Sequence, residues 1–288
     1  MKKLCKMKIL LLISLTLALL SCTILQSFAF HDSVSLPIDI TIDGKAMLKN
    51  GQAQLVNGIT YVPLRAFCSE LGEIDLLWKE ETMTATISTT GLIIVAQSNG
   101  QYITVNERPF YSGAKNLLFD GTLYVPVRSI AKAYGLAVEW KASGDSTLGY
   151  VDLRSQGKRA EHASDVYDPE VLYWLSRIIS AESRGESLLG QIAVGNVVLN
   201  RTRNESFPNT VYDVIFDTKF GVQFTPISNG TIYDDPAESS ITAAKICLEG
   251  YSVSNSILYF MNKSLSTNMW VSDNRPFVMT LGSHTFYS

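Results

Sequence analysis

The sequence is poor in histidine, cysteine and charge, and each shortage excludes a class of protein. Three histidines in 288 residues offer little to a zinc site. Of the four cysteines, Cys5 and Cys22 lie in an apolar N-terminal stretch, so only Cys68 and Cys247 remain, too few for a disulfide framework. We expect both to be small core residues. Charged residues are 18% against 46% hydrophobic, a globular balance that excludes wholesale disorder.

Residues 1–29 have the pattern of an export signal. Four lysines precede an apolar run from Ile9 to Leu20, and small residues at Ser27 and Ala29 stand where a signal peptidase would select them. The run is short for a membrane anchor, which is the alternative. A third interpretation is a loose lipoprotein site with Cys22 as the anchored residue. We expect export across the cytoplasmic membrane with cleavage of the signal.

The charge balance argues against nucleic acid as a partner. Four of the 24 basic residues belong to the predicted signal, so the remainder has a clear excess of acidic residues, which number 27. No basic stripe is left to bind phosphates.

Residues 38–99 and 101–153 are two copies of one sequence unit. The run NGITYVPLR at 57–65 returns 63 positions later as DGTLYVPVR at 120–128. Each copy predicts a strand, an Asn-Gly or Asp-Gly turn, a second strand ending at proline, and a short helix closed by glycine. The helices are predicted at 65–71 and 128–134. We therefore expect a duplicated α+β domain over 30–154 and a polar linker over 155–164.

The repeated Tyr-Val-Pro motif resembles the stalk-like N-terminal domain of copper amine oxidases. The resemblance covers both copies and implies a domain with little chemistry of its own. Copper is not carried over, because no histidine cluster accompanies the motif. The tyrosines and tryptophans, Trp78 and Trp140 among them, are expected in the core.

Beyond residue 165 the sequence pattern becomes helical, and one acidic residue falls on the apolar face of a predicted helix. Asp168 is a predicted N-cap before Pro169, and apolar residues then recur at helical spacing as far as Ile179. Glu182 falls on that apolar stripe. Lost hydration and the negative helix end both raise the pKa of a carboxyl there, which keeps it protonated as a general acid requires. Position alone favours a glutamate paired with Arg184 or exposed at a frayed end.

The surrounding blocks change that interpretation. They are IISAESRGE at 178–186, GQIAVGNVVLNR at 190–201, FPNTVYDVI at 207–215, QFTP at 223–226, ILYF at 257–260 and GSHTF at 282–286. In order and spacing they closely resemble the catalytic domain of the SleB/CwlJ-type cell-wall hydrolases, the spore cortex-lytic enzymes. The resemblance extends from about Val166 to the last residue. Ser183, Ser187, Tyr212 and Ser283 depart from the family pattern without touching the proposed acid.

The resemblance implies both a fold and a reaction. The fold is a mainly α, lysozyme-like catalytic domain over 165–288, with Glu182 as the catalytic acid and no metal or cofactor. The substrate is the glycan strand of peptidoglycan, cut at muramic acid, and characterised members behave as lytic transglycosylases. The implied location is the cell wall or spore cortex, in cortex lysis at germination, and an accessory or activating protein is left open.

Other residues of these blocks receive binding or structural roles. Aromatic rings and amides suit carbohydrate, so candidates for the sugar groove are Phe224, Thr225, Tyr259, Asn262 and Trp270. Structural roles are expected elsewhere: helix caps or interhelix bonds for Asn196, Asn200 and Arg201, close helix packing for Gly190 and Gly195, a helix-dipole or capping role for Glu186, and a structural role for His284.

A conventional glycosidase pairs two carboxylates, and the sequence shows no convincing second one. Asp234 and Asp235 look like turn residues. This fits a lytic transglycosylase, in which the sugar's own 6-hydroxyl attacks and leaves a 1,6-anhydromuramyl end.

Several alternatives to the lytic transglycosylase hypothesis remain. The same glutamate could serve a hydrolytic muramidase in vegetative wall turnover. The chain could be a non-catalytic wall-binding protein that uses exposed aromatics of the stalk-like domain. A zinc amidase is disfavoured by the few histidines, and a cysteine peptidase by the apolar helix around Cys247.

Overall fold

The computed structural model describes residues 35–48, 52–142, 149–219 and 221–288. The chain divides into two compact units. The first comprises Met1–Gln101 and Gly113–Arg159, and the second comprises Tyr102–Ser112 and Ala160–Ser288. The predicted signal segment, with Cys22, lies outside the described residues. None of the helices that the structure describes is long and apolar enough to cross a membrane.

The first unit is β-rich, as the sequence predicts for the N-terminal domain. Its strands, numbered in chain order, are β1 (Ser35–Pro37), β2 (Ile40–Ile42), β3 (Lys45–Met47), β4 (Gln54–Val56), β5 (Ile59–Pro63), β6 (Asp75–Lys79), β7 (Thr84–Thr89), β8 (Leu92–Gln97), β11 (Leu117–Phe119), β12 (Thr122–Pro126), β13 (Leu136–Lys141) and β14 (Tyr150–Ser155). Two short helices, α1 (Leu64–Glu70) and α2 (Val127–Ala133), lie within one residue of their predicted bounds.

The two repeated Tyr-Val-Pro strands pair with each other. In the antiparallel pair β5–β12, Val62 lies opposite Val125, its equivalent in the second copy. Each strand is preceded by a hairpin turn, at Asn57-Gly58 or Asp120-Gly121. All four turn residues have positive φ, the conformation of a type I′ turn, which Asn-Gly and Asp-Gly favour. The repeated sequence therefore builds a repeated local structure.

These strands belong to an antiparallel sheet in the order β1-β4-β5-β12-β11. A second sheet has the order β13-β14-β2-β3, with β14 parallel to β2, and β6, β7 and β8 pair antiparallel. The predicted tyrosine core is confirmed for Tyr61 and Tyr134, which are buried. The prediction is wrong for Trp140, which lies on the edge strand β13 and is 50% exposed.

The second unit is mixed α/β. Its strands are β9 (Tyr102–Val105), β10 (Arg108–Tyr111), β15 (Tyr259–Met261), β16 (Phe277–Leu281) and β17 (His284–Tyr287). Its helices are α3 (Ala163–Val166), α4 (Pro169–Ser183), α5 (Leu188–Thr202), α6 (Val211–Ile215), α7 (Thr225–Asn229), α8 (Glu238–Leu248) and α9 (Trp270–Asn274), with a 3-10 turn at Thr231–Tyr233. The predicted "mainly α" character misses the antiparallel sheet β15-β17-β16, since its short strands lack the length of a clear alternating pattern.

Helices α4, α5 and α8 pack together and form the core of this unit. Asp168 caps α4 as predicted, accepting hydrogen bonds from the backbone amides of Glu170 and Val171. Cys68 and Cys247 are free and buried, as expected for core residues. Burial raises the pKa of the Cys247 thiol, which does not favour a nucleophile.

The hairpin β9–β10 is held to the second unit by a buried ion pair. Arg108 donates to both carboxylate oxygens of Glu249, at 2.7 and 3.0 Å, and the Tyr167 hydroxyl donates to the same carboxylate at 2.7 Å. The repeat analysis, which puts 101–153 in the first domain, does not anticipate this placement. Ala160, within the segment predicted as a linker, accepts a hydrogen bond from the Asn106 side chain of this hairpin.

Gly195 allows the close approach of helices that the sequence predicts. A Cβ at this position would lie 2.8 Å from both Cys247 Sγ and Ile179 Cδ1. We expect Gly195→Ala to lower the free energy of unfolding by about 1–3 kcal/mol through overpacking, although alanine favours helix. Gly185→Ala is the control, because its Cβ would meet nothing within 4 Å. Urea unfolding measures both, and equal stability of the two variants would contradict the packing argument.

Candidate active site

Glu182 lies in the last turn of α4 with its side chain half-buried. Burial raises the pKa of its carboxyl group to about 7. Arg184, the partner that position alone suggested, donates instead to Ser180 Oγ and to the carbonyl of Asp235. Within the described parts of the chain the Glu182 carboxyl has no hydrogen-bond or ion-pair partner, so it is free to exchange a proton with a bound molecule.

Glu182 opens into a groove with a volume of about 740 Å³. One wall is the segment from Ala181 to Glu186, at the end of α4 and the loop to α5. The opposite residues come from the start of α7, from β15 and the loop after it, and from the β16–β17 turn. The groove therefore gathers residues from five of the six sequence blocks that carry the family resemblance; the block at 207–215 contributes none.

Four of the five predicted sugar-binding residues line this groove: Phe224, Thr225, Tyr259 and Asn262. Phe224 is 2% exposed, so its ring supports the groove wall more than it offers a stacking face. The Oδ1 atom of Asn262 accepts a hydrogen bond from the backbone amide of Ser264. The NH₂ group of Asn262 is left to donate to a ligand. Thr225 is exposed.

Trp270 differs from the prediction. It is 51% exposed on α9 and is not among the residues that line the groove, whereas its neighbour Val271 is. On a short helix, adjacent residues point in different directions, so one position decides which side chain faces the groove. The guanidinium of Arg275 lies 5.2 Å from the Trp270 ring.

The polar residues of α5 organise the segment that leads into β15. Asn196 bonds to the backbone of Tyr251 and Val253, and Asn200 donates to the carbonyls of Ser254 and Ile257. The structural role predicted for these two asparagines is confirmed. Arg201 donates to the Leu258 carbonyl but also lines the groove, which the sequence did not reveal.

Glu186 has a different role from the predicted cap. Ser187 caps α5 through its hydroxyl, which accepts the amide of Gly190. The Glu186 carboxylate accepts hydrogen bonds from the amide and hydroxyl of Ser283 in the β16–β17 turn. Glu186 is thus a second groove carboxylate, already engaged in holding one wall. The sequence hides this because the partners are almost a hundred residues apart.

His284 lies beside this pair and is buried, as a structural histidine would be. Its Nδ1 atom is 3.7 Å from Glu186 Oε1, and burial lowers the pKa of the ring. The imidazole is therefore neutral at neutral pH and adds no charge to the groove.

In the part of the chain that the structure describes, Glu182 and Glu186 are the carboxylates that line the groove. Asp235, with a fully exposed side chain, accepts a hydrogen bond from Arg177, and neither it nor Asp234 is among the lining residues. Within the ranges that the structure describes, no group of three or more His, Cys, Asp or Glu side chains is placed to hold a metal ion.

The site thus combines an unpaired carboxyl group of near-neutral pKa with an open groove lined by aromatic and amide side chains. A carboxyl group of near-neutral pKa suits general acid catalysis, and aromatic and amide side chains suit a carbohydrate ligand.

Comparison with known families agrees with this class. Residues 185–287 match the family described as Cell Wall Hydrolase, and residues 41–147 match the copper amine oxidase N-terminal domain. The C-terminal part of the chain therefore matches a cell wall hydrolase domain, and the part before it matches a copper amine oxidase N-terminal domain. Both predicted resemblances are confirmed, as is the prediction of an enzyme that acts on the cell wall. Glu182 lies just before the matched segment.

Individual relatives share the same domain. The spore cortex-lytic enzyme of Bacillus cereus is 27% identical over 203 residues, which cover 62% of this chain and 77% of that protein. The spore cortex-lytic enzyme of Bacillus subtilis is 35% identical over 112 residues, or 39% of this chain and 35% of that protein. Among solved structures, the catalytic domain of the germination-specific lytic transglycosylase SleB from Bacillus anthracis is 36% identical, with a TM-score of 0.39. The match covers 42% of this chain and 97% of that one.

Proposed function

We propose that this protein cleaves the glycan strand of peptidoglycan at muramic acid, with Glu182 as the catalytic acid. The observation that supports the role of Glu182 most directly is its half-buried carboxyl group, unpaired and facing the groove, with a pKa of about 7. A carboxyl of this kind is protonated in a large fraction of molecules at neutral pH. It can therefore donate its proton to a glycosidic oxygen as the bond from that oxygen to the anomeric carbon breaks.

The groove favours completion of the reaction without a protein nucleophile. Conventional glycosidases use a second carboxylate. Here the other groove carboxylate, Glu186, is occupied by its bonds to Ser283. In the proposed lytic transglycosylase reaction, the 6-hydroxyl of the same muramic acid attacks its anomeric carbon. The hydroxyl proton passes to the Glu182 carboxylate, which restores the acid, and the product is a 1,6-anhydromuramyl end with no water consumed.

Mass spectrometry of the released fragments separates this reaction from simple hydrolysis. Anhydromuramyl ends, lighter by one water than reducing ends, support the transglycosylase. Reducing ends support the alternative, a muramidase in which Glu182 activates water.

The pH dependence of the reaction follows from the protonation of Glu182. Because the protonated form of the free protein acts, kcat/KM is expected to be half-maximal near pH 7, to reach its plateau well below that pH, and to fall about tenfold per pH unit well above it. The measurement is kcat/KM on solubilised glycan strands across this range. Binding of the strands at each pH is the control for a change in affinity. A profile that stays flat well above pH 7 would exclude Glu182 as the acid.

The names of the relatives support a setting in the spore. Several are spore cortex-lytic enzymes, so we propose cortex lysis at germination, with vegetative wall turnover as the alternative. Export through the signal at 1–29 would deliver the protein to the cell wall or cortex, with lipoprotein anchoring at Cys22 as a variant. Activation by an accessory protein also belongs to this proposal.

We further propose the finer domain description. In sequence terms it consists of a duplicated stalk-like domain over 30–154, a linker over 155–164, and a lysozyme-like catalytic domain over 165–288, although residues 102–112 and 160–164 belong to the second compact unit. The symmetric pairing of Val62 with Val125 supports the duplication. A non-catalytic wall-binding protein is the remaining alternative, and the open, unpaired Glu182 speaks against it.

A further inference from the structure

Arg201 is a buried cation without an acidic partner. Its residue is 5% exposed, at the end of α5, and its Nε atom donates to the Leu258 carbonyl at 2.7 Å. Its Nη1 atom is buried and has no hydrogen-bond partner, and no Asp or Glu in the described ranges forms an ion pair with it. A guanidinium removed from water costs free energy unless an anion compensates it.

Aromatic rings around Arg201 stabilise its buried charge only in part, in place of an anion. The Arg201 guanidinium carbon lies 4.9 Å from the ring centroid of Phe207, 5.2 Å from that of Phe224 and 5.4 Å from that of Tyr259. Such contacts favour a cation, but by less than a direct ion pair in a buried place. Asp217 attracts Arg201 only at a distance, without an ion pair. Arg201 stays charged at neutral pH, since burial lowers its pKa only to about 10.

A second guanidinium adds to the positive character of this wall. Arg275 lies 4.6 Å from the centroid of the Tyr259 ring, so two guanidinium groups contact one tyrosine. Since Arg201 and Tyr259 both line the groove of Glu182, the positive field of this wall reaches the space where a substrate would lie. A buried cation with an unsatisfied donor needs an explanation, and in the wall of a groove a bound anion would supply one.

We infer that Arg201 is the carboxylate-binding residue of the groove and takes a carboxylate of the peptidoglycan strand. This rests on the proposed function, which supplies the substrate. The strand offers carboxylates on its stem peptides, and on the lactyl group of a muramic acid that has lost its peptide. Arg201 would hold one of them and so position the strand against Glu182. The planar guanidinium suits a carboxylate, and the bond would satisfy Nη atoms that the protein leaves free.

Binding to modified walls tests this without requiring catalysis. The full chain carrying Glu182→Gln is sedimented with purified peptidoglycan, either native or with its carboxylates converted to amides. We expect native wall to bind roughly tenfold more tightly than amidated wall, the effect of one charge-assisted hydrogen bond. Adding Arg201→Met should remove that difference, and adding Arg201→Lys should leave an intermediate one. Walls stripped of stem peptides by an amidase then separate the lactyl carboxylate from those of the peptides.

The matched control is Asn200→Ala. It removes an anchor of the same 254–258 segment, one residue earlier on α5, but Asn200 does not line the groove. This variant should keep the ratio of binding to native wall over binding to amidated wall, even if the variant itself is less stable. An unchanged ratio in folded Arg201→Met, or no preference for native wall in the parent, would overturn the inference and leave Arg201 a structural residue.

A second measurement covers the case in which Arg201→Met does not fold. N-acetylmuramic acid and its carboxamide are titrated into the unsubstituted protein. Tighter binding of the free acid supports the site, and equal binding overturns it. Failure of this inference can be told apart from failure of the proposed function. A protein that shows the carboxylate preference yet cuts no glycan would retain the Arg201 site and lose the proposed activity.

Discussion

Glu182→Gln is expected to reduce kcat on peptidoglycan by about 10²- to 10⁴-fold, the contribution typical of a general acid. Glutamine keeps the shape of the side chain but has no acidic proton for the leaving oxygen. Binding of the wall should be retained, since Glu182 has no partner whose loss would disturb the groove. The measurement is the rate of release of soluble glycan fragments from purified peptidoglycan.

The fold of this variant is expected to be intact. Burial disfavours the charged form of Glu182, so this group lowers stability as the pH rises from its unfolded pKa, near 4.5, to its folded value of about 7. Glu182→Gln should therefore unfold no more easily than the parent at pH 8. Glu170→Gln makes the same change at an exposed position of the same helix and should keep its activity. Comparable losses in both variants would argue against a special role for Glu182.

Glu249→Ala is expected to lower the free energy of unfolding of the second unit by about 3–5 kcal/mol. The Glu249 side chain is 5% exposed, and its loss would leave the Arg108 guanidinium buried without a counter-charge. The Tyr167 hydroxyl would lose its acceptor as well. Chemical denaturation followed by circular dichroism measures the effect.

An exposed ion pair of the same unit provides the control. Asp235 pairs with Arg177 at 3.3 Å, but its side chain is fully exposed, so Asp235→Ala should cost less than about 1 kcal/mol. A similarly small effect of Glu249→Ala would mean that β9–β10 is not held to the second unit as the structure has it.

Local patterns in the sequence predicted local structure well. The Asn-Gly and Asp-Gly turns, the helices that follow each Tyr-Val-Pro strand, and the Asp168 cap were all correct, because each depends on neighbouring residues. The burial of Glu182 followed from its place on the apolar stripe of one helix. The absence of an ion pair between Glu182 and Arg184 could not be predicted, because Arg184 bonds instead to the carbonyl of Asp235, which lies far along the chain.

Most of the contacts that could not be predicted from the sequence are between residues far apart in the chain. The bond from Ser283 to Glu186, the contact of Arg108 with Glu249 and the contact of Arg201 with the Tyr259 ring join residues that are distant in the chain. No periodicity or spacing records such pairs. The sheet β15-β17-β16 was missed for a related reason, since strands of three to five residues form only when partners are in place.

The most direct test of the central claim is a digest of purified spore cortex and vegetative peptidoglycan by the protein without residues 1–29, analysed by mass spectrometry beside Glu182→Gln. We predict soluble glycan fragments with 1,6-anhydromuramyl ends, released preferentially from cortex and absent from the Glu182→Gln digest. Fragments released equally by Glu182→Gln, or no glycan cleavage of either wall, would contradict the assignment of Glu182 as the acid that cuts the strand.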